Sequence, residues 1–170
     1  MRSIKGLFLS ASVVALLAAG CSNAAPTVQS VAPKQLDVCG LLDATMASNV
    51  LGGKVTIDPG AVVPSGNGFV STCTFTSDEA RGINVLLRQN TSKAEAQKLF
   101  ADSKASSQSG DTAPVDLRGL GDGAFWLGGT QNQLDVVYKN NWMVITVYGL
   151  PGDDRLTVGR NAAAALLRGL

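Results

Sequence analysis

Histidine is absent from all 170 residues. The commonest general base and the commonest zinc ligand are therefore missing, and no Ser-His-Asp triad can be built. Charge is sparse: 16% of residues are charged and the formal net charge is +1. Lysine and arginine form no cluster, which excludes nucleic acid as a partner, because phosphate contacts need cations gathered on one face. No acidic block of the kind found in solvating tails is present either. Aromatic residues make up only 5% of the chain while glycine reaches 19 residues, fewer rings and more glycine than a deep lipid pocket calls for. The apolar run from Gly6 to Ala19 is shorter than the roughly 18–20 residues that span a bilayer.

What is there begins with a leader. Arg2 and Lys5 give a short basic start, Gly6 to Ala19 form the apolar region, and Gly20 and Cys21 follow. This is the pattern of a secretory signal ending in a cysteine. Leu17-Ala18-Ala19-Gly20-Cys21 resembles the bacterial lipobox, with one departure: Ala18 stands where leucine is usual. The resemblance implies a signal peptide over residues 1–20, lipidation of Cys21 by a diacylglyceryl group and further acylation (palmitate) of its amine. A plain secretory signal cut after Ala25, or an uncut anchor, are the alternatives. Each buried methylene adds about 0.8 kcal/mol of membrane affinity, so two or three acyl chains hold a protein firmly. Ser22, rather than aspartate, follows the cysteine, which favours the outer membrane in a host that has one and the extracytoplasmic side of the plasma membrane otherwise.

Removal of residues 1–20 takes two basic residues and no acidic ones, leaving 12 basic against 13 acidic. Residues 21–35 read as the lipidated cysteine and a flexible tether of Ala, Pro, Ser, Thr, Gln and Val. Residues 36–170 have the length of one globular domain with a substantial core. With Cys21 lipidated, Cys39 and Cys73 form an even pair, in an exported protein most simply a disulfide. Loop-closure entropy gives such a bridge about 3.5–4 kcal/mol. A redox or nucleophilic thiol is the functional alternative, but neither cysteine sits in a Cys-x-x-Cys pair and no histidine stands by to activate one.

Leu41 to Leu51 reads as a short helix capped by Asp43 and closed by Gly52-Gly53. Pro59, Gly60, Pro64 and Gly66 mark the next stretch as loop, with room for a short strand at Val55–Ile57. Phe69 to Thr76 alternates, as do Ile83, Val85 and Leu87, with a hairpin loop over Asp78–Gly82 between them. Ser92-Lys93-Ala94-Glu95 is a capping box opening a helix that ends near Lys104, with Ala96, Leu99, Phe100 and Ser103 on one face. Three strands follow, at Ala124–Leu127, around Leu134, Val136 and Tyr138, and at Trp142–Tyr148, with Asn140-Asn141 as a tight turn. Pro151 to Asp154 breaks the chain and caps a final helix in which Leu156, Ala163 and Leu167 recur. The order predicts an α+β fold: an antiparallel sheet of about five strands with helices packed mainly on one face. It also divides into two loose halves, each a strand hairpin followed by a helix.

Motifs that carry chemistry are weak. Gly119-x-Gly121-x-Gly123 has the wrong spacing for a dinucleotide loop and precedes a strand, so it reads as a tight turn. Gly53-Lys54 lacks the remaining residues of a phosphate-binding loop, and Asp153-Asp154 lacks the alternating acids of a calcium loop. Asp116, Asp122 and Asp135 are scattered over turns and strands. No metal and no cofactor is expected. Trp126, Tyr138, Trp142 and Tyr148 all fall on predicted C-terminal strands. On one exposed face they would form a sticky binding surface; packed under helices they would be core. Trp142, Val144, Thr146 and Tyr148 share one side of their strand, and Met143, Ile145 and Val147, the better core, share the other.

Asp37-Val38-Cys39-Gly40-Leu41-Leu42, Cys73-Thr74-Phe75 and Gly119-Leu120-Gly121-Asp122-Gly123-Ala124-Phe125-Trp126 together resemble a family of uncharacterised envelope lipoproteins best known from actinobacteria. Its members carry a lipobox, a tether, a Cys-x-Leu-Leu opening and a Gly-Leu-Gly-Asp turn. The resemblance covers residues 36–170 and implies that Cys39 pairs with Cys73; it brings no catalytic role. A weaker resemblance is to envelope sensor and lipoprotein domains built on an antiparallel sheet with a cupped face. The reading that emerges is a non-enzymatic cell-envelope lipoprotein, lipid-anchored to a membrane, that binds an envelope protein, cell-wall or lipid ligand. The alternatives are an envelope enzyme working through two carboxylates about 5–10 Å apart, and a structural or assembly component of an envelope complex.

Overall fold

Alternation and turn chemistry set the strands, and the strands pair into a single antiparallel sheet. The computed structural model describes residues 35–66, 68–108 and 112–170. The elements run α1 (Val38–Leu41), α2 (Ala44–Leu51), β1 (Val55–Ser65), β2 (Gly68–Ser77), β3 (Gly82–Gln89), α3 (Lys93–Ser107), β4 (Val115–Leu117), β5 (Gly123–Leu127), β6 (Gln133–Tyr138), β7 (Asn141–Tyr148) and α4 (Asp154–Leu167). The leader over residues 1–20, Cys21 and the tether through residue 34 lie outside the described residues.

The sheet has seven strands in the order β1-β2-β3-β7-β6-β5-β4, not about five. Two strands account for the difference. β1 is an edge strand that tolerates Pro59, Gly60 and Pro64 because its outer side needs no ladder bonds, and its pairing with β2 shifts register between Pro59 and Val62. β4 has only three residues, too few for alternation to show. The two halves expected from sequence are two antiparallel meanders, β1–β3 and β4–β7, joined where β3 pairs with β7.

One face of the sheet is the core. Cys73, Phe75, Ile83, Val85, Leu87, Met143, Ile145 and Val147 are buried on it, in register across β2, β3 and β7. Val38, Leu42, Ala47 and Leu51 from the N-terminal segment and Val158, Ala162, Ala163 and Leu166 from α4 complete that core. Small residues let α4 approach closely: a Cβ at Gly159 would already touch Leu134 and Val147 at 3.5 Å. The helix expected over Leu41–Leu51 is α2, which begins at Ala44 because Asp43 caps it, its carboxylate accepting the Met46 N–H at 2.8 Å; the separate short α1 precedes it. Gly52 closes α2 in the left-handed conformation, with φ 76°. The Ser92 hydroxyl accepts the Glu95 N–H at α3, as the capping box requires. At α4, Asp153 occupies the cap position without making a side-chain hydrogen bond, so that expected cap is positional only. The tight turn lies at Lys139-Asn140, one residue earlier than expected, since Tyr138 pairs with Asn141.

The helices do not all share one face. α1, α2 and α4 lie on the core side, whereas α3 packs on the reverse side of β6 and β7. There Ala96 is buried, and Phe100 meets Phe125 with ring centroids 5.1 Å apart. The Gly-Leu-Gly-Asp turn ties this end together. Asp122 accepts the Lys139 N–H at 3.0 Å and pairs with Lys93 of α3 at 2.9 Å. Gly121 has φ 57°, and a Cβ there would sit 2.5 Å from the Val137 carbonyl oxygen, so only glycine fits.

Cys39 and Cys73 are bonded, with Cα atoms 5.4 Å apart and a sequence separation of 34. The bridge pins α1 to the middle of β2, beside a buried hydrogen bond from the Val38 N–H to Ser71 Oγ at 2.9 Å. Replacing both cysteines by alanine is expected to cost about 2–5 kcal/mol. Urea unfolding of the variant beside the wild type, oxidised and reduced, measures it; the reduced wild type should match the variant.

Candidate functional site

The reverse face of the sheet is covered by α3 only at the β5–β7 end. Toward β2 and β3 its side chains remain half-exposed: Val70, Thr72, Thr74 and Thr76, then Asn84, Leu86 and Arg88, then Trp142, Val144, Thr146 and Tyr148. Registers align these in rows. Thr72, Leu86 and Val144 lie side by side, as do Thr74, Asn84 and Thr146. The rows are held by hydrogen bonds: Asn84 Nδ2 donates to Thr74 Oγ1 at 2.8 Å, and the Thr76 and Tyr148 hydroxyls lie 2.8 Å apart. The result is a pre-ordered surface that mixes apolar area with hydroxyl and amide groups.

The four aromatic residues do not share this face. Trp142 and Tyr148 are on it. Trp126 pairs with Leu134, which pairs with Ile145, and this parity puts Trp126 on the core side with Tyr138. Trp126 packs partly buried against the core, and the Lys139 ammonium lies 4.7 Å from the centre of the Tyr138 ring. Period-2 parity decides each case, and it runs through strand registers that only the folded sheet supplies.

Asp135, in sequence one of three scattered acids, has surroundings that the sequence does not announce. It is fully buried, at 0% exposure, between β6 and α3. It accepts hydrogen bonds from Gln133 Nε2 at 2.7 Å, Trp142 Nε1 at 3.0 Å and Ser103 Oγ at 3.3 Å. Burial pushes its carboxyl above the usual carboxylate range, and the three donors pull it part of the way back. The clue was its position as the one charge inside Leu134-Asp135-Val136-Val137, a strand buried on both sides. Asp122 is shifted the other way, held below the usual range by Lys93 and by the Lys139 N–H. Asp116 pairs with Lys104 at 2.5 Å. The three acids thus serve three separate contacts. Among the described residues, no group of three His, Cys, Asp or Glu side chains is placed to hold a metal ion.

Two concavities lie elsewhere. A groove of about 290 Å³ between α2 and α4 is lined by Met46, Asn49, Val50, Asn161 and Arg168. A cleft of about 340 Å³ lies beyond the end of β5, where Trp126, Gly128, Gly129 and Asn132 face Gly152, Asp153 and Arg155.

No protein-family model and no curated protein matches this chain. Among solved structures it is similar to the extracellular domain of PknH from Mycobacterium tuberculosis, at 9% identity and a TM-score of 0.49, over 76% of this chain and 94% of that one. Among the described residues, no helix is long and apolar enough to cross a membrane.

Asp135 generates a signed pH dependence. A carboxyl whose pKa is raised on folding contributes stability that is complete below the unfolded value, about 3.9, and lost as pH rises through the folded value. Wild type should therefore lose stability relative to Asp135→Asn as pH rises above about 4. Urea midpoints of the two proteins from acid to neutral pH measure the difference; Asp122, common to both, cancels. Parallel profiles would show that Asp135 titrates normally.

Proposed function

We propose that this chain is a lipid-anchored protein of the cell envelope whose folded part binds a protein, cell-wall or lipid ligand without turning it over. The observation that carries the reading is the half-exposed reverse face of β2, β3 and β7, where Leu86, Val144 and Tyr148 stand among ordered threonine and asparagine side chains. Interfaces favour this combination of aromatic and apolar anchors with satisfied polar neighbours. The Cys39–Cys73 bridge supports an oxidising compartment outside the cytoplasm, and the leader ending at Cys21 supports attachment to its membrane. The carboxylate-enzyme alternative draws no support from Asp135, which faces three neutral donors beneath α3.

Two measurements test the proposal. Full-length protein should incorporate labelled palmitate and partition with membranes, whereas Cys21→Ala should do neither. A photo-crosslinking residue placed at Leu86 or Val144 in the native membrane should yield a discrete adduct, and the same residue at exposed Arg160 on α4 should not. Equal labelling at all three positions, or none at any, would remove the reverse face as the binding surface.

A further inference from the structure

The cleft beyond β5 has a chemistry separate from that of the reverse face. Arg155 is fixed by two hydrogen bonds, from Nε to the Leu150 carbonyl at 2.5 Å and from Nη1 to Asn132 Oδ1 at 2.9 Å. The second bond also orients the Asn132 amide, because an oxygen must face the guanidinium; Nδ2 is then left as a donor. Arg155 Nη2, Asn132 Nδ2 and Trp126 Nε1 make no hydrogen bond among the described residues. Trp126 differs here from Trp142, whose indole N–H is spent on Asp135. Asp153 supplies the opposite polarity: its exposed carboxylate caps nothing and forms no ion pair among the described residues. Three glycines, Gly128, Gly129 and Gly152, form part of the cleft's lining.

We propose that this cleft is a saccharide-binding site. It places two held donors, Arg155 and Asn132, the indole N–H of Trp126 and the carboxylate of Asp153 around one volume of about 340 Å³ that suits one small ligand. A ligand for such a site must offer acceptors and donors together on a compact frame. A phosphate or carboxylate would be repelled by Asp153, and an amine would face Arg155. A sugar hydroxyl both donates and accepts, so neighbouring hydroxyls answer Asp153 and the Arg155–Asn132 pair at once, and the C–H groups of the ring can lie against the indole. Because Arg155 and Asn132 already hold each other, little order is lost on binding.

Titration of the ¹⁵N-labelled protein with chitotetraose, and separately with maltotetraose, tests the site through the chain's two indole N–H resonances. A saturable shift of the Trp126 resonance with at least one oligosaccharide is expected, with that of Trp142 unmoved. Asp153→Ala should weaken binding about tenfold or more, the usual effect of losing a hydrogen bond to a charged group. Gly152→Leu should abolish it by filling the cleft; a Cβ there meets nothing within 4 Å, so the variant should fold, as unchanged dispersion of its remaining amide resonances would verify. No shift of Trp126 with either sugar would overturn the proposal. So would equal binding by the two variants, or an equally large saturable shift with inorganic phosphate. These outcomes leave crosslinking at Leu86 unaffected, so the cleft and the reverse face stand or fall separately.

Discussion

Pairing between β3 and β7 is the interaction on which the rest of the molecule depends. Eight residues of each strand, Gly82–Gln89 against Tyr148–Asn141, join a meander made early in the chain to one made late. Ile83 with Val147, Val85 with Ile145 and Leu87 with Met143 form the middle of the core, and every covering helix is placed relative to those rows. Such contacts are distant in sequence, so their loop-closure entropy must be met before the core repays it. The disulfide and the Asp122 turn act locally, one within each half, and reduce the number of arrangements open to each meander.

The same register explains why the two faces differ in character. On the core side, apolar residues from β2, β3 and β7 meet an alanine-rich α4 that can come close. On the reverse side, α3 covers only the β5–β7 end, and it is held there by Phe100 on Phe125 and by Ser103 on the buried Asp135. A buried carboxyl with neutral donors is a weaker cement than an apolar contact of the same volume, since its ionised form is costly to desolvate. The reverse face is therefore the less tightly built side of the sheet, and the side with surface to spare.

Legibility in the sequence followed the physics of each element. β2, β3 and β7 are half-buried and alternate, so their existence and inward residues could be read directly; the caps at Asp43 and Ser92 and the turn over 119–123 were equally plain. β1 was legible only at Val55–Ile57, because prolines that forbid a central strand are harmless at an edge. β6 concealed Asp135 because burial on both sides removes alternation and leaves an acid looking like a surface residue. The side on which α3 lies could not be read, since an amphipathic stripe is the same whichever face of a sheet it meets. The cleft at Trp126 was equally illegible: Asn132 and Arg155 are 23 positions apart, and nothing local announces their bond.

The margins of the sheet carry a consequence for life on a crowded surface. At one margin β1 bears Pro59 and Pro64 and a break in register; at the other β4 lasts three residues, so neither offers a long, straight row of open amides to a neighbour. If many copies share a membrane plane, as the proposed anchor would have it, their encounters are far more frequent than in dilute solution. A sheet with blunted margins meets that density without zipping into ribbons, and each copy stays separate from the next.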